Sequence, residues 1–170
     1  DEVVTGFGRL GTMFGSDHYG LKPDLITIAK GLTSAYAPLS GSIVSDRMWK
    51  VLEQGTDENG PIGHGWTYSA HPICAAAGVA NLKLIDDLNL VREGLLCAVE
   101  YVADKADATP LDPAAKVGAA ISAAMLERGV IARAMPQGDI TGFAPPFCIT
   151  RAEVDTVVAA TADAVKTVLG

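Results

Sequence analysis

The chain has 170 residues, 49% of them hydrophobic, with a formal net charge of −7. That length suits one domain or slightly more, and the apolar share can fill a core. The negative balance and the lack of a basic run exclude nucleic acid and anionic membranes as partners. No apolar stretch approaches the ~18 residues that span a bilayer. Cys74, Cys97 and Cys148 are odd in number, far apart and without a CxxC pair, so they read as free, mostly buried thiols of a reducing cytoplasm.

In chain order, Asp24 to Ala29 reads as a short buried strand between Pro23 and Gly31, and Leu39 to Ser45 as a second. Asp46 caps a helix through about Gln54. A glycine-rich loop follows to Gly65. A long helix starts at Ser69 or His71 and runs to about Leu88. Gly94 to Ala103 reads as a strand, Asp104 to Pro113 as a polar loop, and Ala114 to Arg128 as a helix closed by Gly129. Val130 to Ala134 and Phe143 to Ile149 read as short strands, the second bent by Pro145-Pro146. Thr150-Arg151-Ala152-Glu153 is a capping box that opens the last helix. Strands alternating with helices imply α/β layers, and a boundary falls near residues 89 to 94.

Four positions stand out, each with an ordinary alternative. Lys30 ends the first strand in Ile28-Ala29-Lys30-Gly31-Leu32. Ligands of α/β sheets sit at strand carboxyl ends, although a lysine at a strand-to-turn junction is commonly just solvated. Asp1 opens Asp1-Glu2-Val3-Val4-Thr5-Gly6-Phe7-Gly8-Arg9, and could be no more than a solvated carboxylate; Val3 lies in the same string. Thr67 sits in Gly63-His64-Gly65-Trp66-Thr67-Tyr68-Ser69-Ala70-His71-Pro72, where glycines let backbone approach an anion; capping of the next helix is the alternative. Arg133 could read a carboxylate with its planar fork or sit exposed on an edge strand. Gly6-Phe7-Gly8-Arg9-Leu10-Gly11 matches a dinucleotide-binding pattern, but Gly15, Gly20 and Pro23 break the helix that the pattern needs. His64 and His71 lack a third metal ligand nearby.

Taken together, the Asp1–Arg9 string, Ile28–Leu32 and the Gly63–Pro72 segment resemble the class III aminotransferases of the ω-amino acid or amine:pyruvate type. The resemblance implies the type I pyridoxal phosphate transferase fold, here as a C-terminal fragment. Residues 1–93 would be part of the cofactor-binding large domain and 94–170 a small C-terminal α/β domain. A further helix and loop would be missing between 93 and 94, and a long portion would precede Asp1. It also implies pyridoxal 5′-phosphate as cofactor, with Lys30 as the Schiff-base residue and proton shuttle. Asp1 would contact the pyridine nitrogen, Val3 would pack against one ring face, and Thr67 would bind phosphate across a dimer interface. Arg133 would be a mobile ligand for the substrate carboxylate, although Pro136-Gln137 lengthens the family's Arg-x-x-Gly-Asp spacing. The implied reaction moves an amino group from an amine or ω-amino acid to a keto acid such as pyruvate, in a cytoplasmic homodimer. A catalytically inactive fragment, or a racemase or aminomutase relative, shares the same cofactor framework.

Overall fold

The computed structural model describes residues 1–92 and 94–170. The chain divides into two compact units, Asp1–Gly94 and Leu95–Gly170. The proposed seam between 93 and 94 involves Glu93, which lies outside the described residues.

The first unit opens with turns over residues 3–9 and the short helix α1 (Gly15–His18). Strand β1 (Leu25–Ile28) pairs antiparallel with β2 (Gly41–Val44), Leu25 opposite Val44 and Ile28 opposite Gly41. Between them lies a single 3₁₀ turn, Lys30–Leu32. Helices α2 (Asp46–Asn59) and α3 (Pro72–Asp87) complete the unit. Phe7, Leu32 and Ile85 are its buried apolar cluster, with Phe14, Ile28 and Leu39 packed around it.

Several expectations change here. The strand at 24–29 is present but not buried: burial alternates along β1 and Leu25 is 57% exposed. The strand belongs to a two-stranded ribbon, and a pleated strand turns alternate residues to opposite faces. The cap of α2 is Ser45, whose hydroxyl accepts from the Met48 N–H at 3.3 Å, not Asp46. Helix α2 runs on through Gly55 and ends where Gly60 takes a φ of 85°. One interior glycine costs only about 1 kcal/mol of helix propensity, so the glycine-rich loop begins five residues later than the composition suggests. Helix α3 starts with Pro72 in its first turn, where a missing N–H costs nothing.

In the second unit, β3 (Cys97–Glu100), β7 (Ile140–Phe143) and β6 (Arg133–Ala134) form an antiparallel sheet in that order. A separate ribbon pairs β4 (Val102–Asp104) with β5 (Thr109–Pro110). Helices α4 (Val117–Glu127) and α5 (Arg151–Leu169) pack together over a core of Tyr101, Val117, Ile121, Ala124, Met125 and Ala164. Gly129 closes α4 as read from sequence. Its φ is 78°, its N–H reaches the Leu126 carbonyl, and the Val130 N–H reaches that of Met125, the double bond of a Schellman end. The capping box is also present: the Thr150 hydroxyl accepts from the Glu153 N–H and the Glu153 carboxylate accepts from the Thr150 N–H.

The last strand, however, spans Ile140–Phe143 and stops before Pro145-Pro146, because proline has no N–H for a ladder. The single strand expected over 94–103 is two, with different partners. Cys97 and Cys148 are exposed rather than buried, and Cys74 is half-buried. Cys97 sits on β3, whose residues are all exposed.

Candidate active site

Within the Asp1–Arg9 string, residues 3–9 fold as successive turns. The string is nevertheless tied to β1, since the Glu2 N–H donates to the Thr27 carbonyl at 2.9 Å. Thr27 lies three residues before Lys30, and Asp1, Val3 and Lys30 all belong to the first unit. Asp1 is exposed, and its Oδ1 accepts from the Val3 N–H at 2.8 Å. Val3 is half-buried.

Glu2 is the residue that sequence reasoning missed. Its side chain is only 5% exposed. Oε2 accepts from the Gly15 N–H at 2.8 Å and Oε1 from the Ser16 N–H at 2.7 Å, and the Thr5 hydroxyl donates to Oε2. Burial pushes this carboxyl up, but the bonds from Thr5, Ser16 and Gly15 together outweigh it, and the group titrates below the usual glutamate range. Gly15 permits this close approach: a Cβ would stand 3.0 Å from Thr5 Cβ and 3.1 Å from Glu2 Oε2, tighter than ordinary contact. Of two adjacent acids, one faces solvent and the other ties the segment down. No motif distinguishes the two, although a glycine 13 positions after Glu2 is a weak signal of close approach.

Lys30 is exposed and has a φ of 40°, in the left-handed region that non-glycine residues avoid. Ala29 before it is fully extended, and the chain then closes into one 3₁₀ turn with the Leu32 N–H on the Ala29 carbonyl at 2.9 Å. Behind the turn, Gly31 fits against Phe7, whose Cβ and ring would each lie 3.1 Å from an added Cβ. Among the described residues the Lys30 amine has neither a hydrogen bond nor an ion pair.

Thr67 is exposed within a turn, four residues ahead of the cap of α3. That cap is His71, so the capping alternative for Thr67 is overturned. His64 stacks edge-on against Trp66, with centroids 5.4 Å apart. Among the described residues no three potential metal ligands converge.

Arg133 belongs to the second unit. It lies on the edge strand β6, opposite Gly142 of β7, and is exposed. The longer Pro136–Asp139 turn is accommodated by Gly138 at a φ of 69° and pinned by Asp139, whose Oδ1 accepts from the Gly118 N–H at 2.8 Å.

The donor set suits an anionic aldehyde cofactor. An uncommitted amine, a carboxylate with one oxygen spare and a half-buried aliphatic group share one unit. The Thr67 hydroxyl and the Arg133 guanidinium are likewise without partners among the described residues. Lys30 and Asp1 could hold such a cofactor at its aldehyde and ring nitrogen, and Thr67 at its phosphate.

The family described as aminotransferase class-III matches residues 1–93. The chain is 54% identical over 196 residues to a diaminobutyrate–2-oxoglutarate transaminase of Halomonas elongata, covering 99% of this chain and 42% of that protein. It is 34% identical over 185 residues to gamma aminobutyrate transaminase 1, mitochondrial, of Solanum lycopersicum, covering 93% and 36%. Among solved structures, a transaminase from a study of ancestral reconstruction superposes with a TM-score of 0.95 at 55% identity, covering 99% of this chain and 43% of its own. A thermostable (S)-enantioselective omega-transaminase from Thermomicrobium roseum does so with 0.88 at 36%, covering 100% and 43%. The chain therefore spans about 42% of the length of the curated relatives it matches first.

Proposed function

This chain belongs to the class III aminotransferases, and we propose that the whole protein transfers an amino group from an amine or ω-amino acid to a keto acid. The observation that carries the reading is Lys30, an uncommitted amine on a left-handed residue that opens the 3₁₀ turn just after β1, the strand to which the Asp1–Val3 segment is tied through Glu2. Strained backbone of this kind persists where the surroundings over-determine it, and it clusters at functional sites. The names of the relatives make diamines and ω-amino acids the donors to try first, with 2-oxoglutarate beside pyruvate as acceptor.

Pyridoxal 5′-phosphate, when bound, supplies an electron sink for the bonds at the substrate α-carbon. Lys30 would hold it covalently through Nζ, and the same nitrogen, once released, would carry the proton away from the amine-bearing carbon of the donor and later deliver one to the corresponding carbon of the acceptor. Asp1 places a negative charge where a ring nitrogen needs to stay protonated. Val3 supplies an apolar wall that lowers the local dielectric around that ion pair. Thr67 donates its hydroxyl to a phosphate oxygen from the partner subunit of a homodimer, and Arg133 pairs its fork with a substrate carboxylate. The small domain then begins at residue 94, after a segment that the relatives carry and this chain lacks. An alignment of 196 residues against a chain of 170 supports that reading. A cytoplasmic location completes the proposal.

The test is a donor and acceptor survey on the whole protein. Diaminobutyrate, γ-aminobutyrate and a simple amine are offered in turn with pyruvate or 2-oxoglutarate, and alanine or glutamate is quantified. Amino acid formation that depends on both partners and on added pyridoxal phosphate is the expected result. Racemisation or amino migration within the donor, with no amino acid formed from the acceptor, would overturn the transaminase reading.

A further inference from the structure

The turn that carries Lys30 is not held by its own backbone alone. Helix α3 crosses behind it, and Asn81 of that helix reaches across with both ends of its amide. Nδ2 donates to the Gly31 carbonyl at 2.8 Å and to the Leu32 carbonyl at 3.1 Å, while Oδ1 accepts from the Ser34 hydroxyl at 2.7 Å. Three bonds from one side chain thus tie down the last two residues of a three-residue turn and the chain just beyond it.

The approach is engineered by the residue one turn earlier. Gly78 is buried, and a Cβ there would stand 3.1 Å from Leu39 Cδ2 and 3.9 Å from the Leu32 carbonyl. Ile85, one turn later, enters the apolar cluster with Leu32. Gly78, Asn81 and Ile85 therefore lie on one face of α3, at the helical spacings of three and four. Asparagine is a poor choice for the interior of an otherwise Ala- and Leu-rich helix, which points to a role outside the helix. The carbonyls it bonds belong to the two residues after Lys30, and Lys30 and Ser34 both sit at positive φ, 40° and 50°. Left-handed residues return to the common basins unless neighbours restrain them.

We propose that Asn81 is the positioning residue for Lys30: its amide clamps the 3₁₀ turn so that the lysine stays in its left-handed conformation with the amine directed for attack. Asn81 touches neither cofactor nor substrate in this role, and the inference rests on the reading of Lys30 given above. The clamp acts on the amine's geometry, so its loss slows covalent capture of the cofactor aldehyde as well as turnover.

The experiment uses the whole protein stripped of cofactor. Pyridoxal phosphate is added, attachment is followed by stopped-flow absorbance, and the product is reduced with borohydride and mapped by mass spectrometry. Asn81→Asp keeps the shape but sets an anionic oxygen against two carbonyls. Asn81→Leu removes the polar atoms at similar volume. Both should fold, by circular dichroism, and label Lys30 about 10- to 100-fold more slowly than the parent, the scale on which small misplacements of a reacting group act. Ser34→Ala frees one end of the amide and should slow labelling by a smaller factor. Parent-like labelling rates in folded Asn81 variants, even with lowered melting temperatures, would make Asn81 purely structural and overturn the proposal. If neither Asn81 variant folds, the Ser34→Ala rate decides, and a parent-like value overturns it. Failure of the parent itself to label Lys30 would instead sink the functional reading on which the proposal depends.

Discussion

The two units of this chain are held in different ways. The second has an apolar core in which Ile121, Met125 and Ala164 are fully buried, and the end of α4 and the start of α5 are regular caps. Among the described residues the first buries only Phe7, Leu32 and Ile85 of its apolar side chains, and just as deeply the polar Glu2, Ser16 and Thr33. Of the eight non-glycine residues at positive φ among the described ones, six lie in the first unit, Lys30 among them. Apolar packing is non-directional, whereas hydrogen bonds fix orientation. The unit that carries the candidate site is thus the one whose backbone is set by directed polar contacts.

That contrast can be broken from either side. The largest effect belongs to the chemistry: Lys30→Ala in the whole protein should reduce amino transfer by about 100- to 10,000-fold, the usual share of a positioned proton-transfer group. A steady-state assay with the best donor checks it. Among stability changes, Met125→Ala should cost about 2–5 kcal/mol, since it truncates a fully buried side chain. Amide hydrogen exchange should show the loss in α4, α5 and their sheet and leave β1 and α1 protected.

Glu2→Ala should act the opposite way. It leaves the Gly15 and Ser16 N–H groups without their acceptor, at a cost of about 1–3 kcal/mol, with faster exchange confined to the first unit. The effect also depends on pH. Because the folded-state value of Glu2 is depressed below 4.5, its contribution is complete above that pH and is lost as pH falls through the folded value. The difference between parent and Glu2→Gln in chemical denaturation should therefore be full at neutral pH and shrink in acid. The smallest effect is a gain. Ala70 has a φ of 54°, and Ala70→Gly removes a left-handed alanine at the expense of a looser unfolded chain, for a net rise below about 1 kcal/mol in a denaturant series.

Sequence reading did better where the signal was local. Gly129 and the Thr150–Glu153 box announce helix ends through contacts three to five residues apart, and both ends form as read. The run of α2 past Gly55 was hidden because composition reads glycine as a breaker, while a helix tolerates one. The site divides in the same way. Lys30 and Asp1 stood out through motif strings, but the residues that hold their segments did not. Glu2 bonds partners 13 and 14 positions away, and Asn81 bonds Gly31 across 50. No local pattern encodes such pairs. The weak trace they leave is a polar residue or a glycine where the element alone would prefer something else.

On the proposed reading Lys30, among all lysines of the chain, is the one built to capture an aldehyde. Pyridoxal phosphate added to the whole protein, reduced with borohydride and mapped by mass spectrometry, tests it directly beside a Lys30→Ala control. Stoichiometric label at Lys30 that disappears in the control is the predicted result. Label spread over several lysines, and equal in the control, would contradict it.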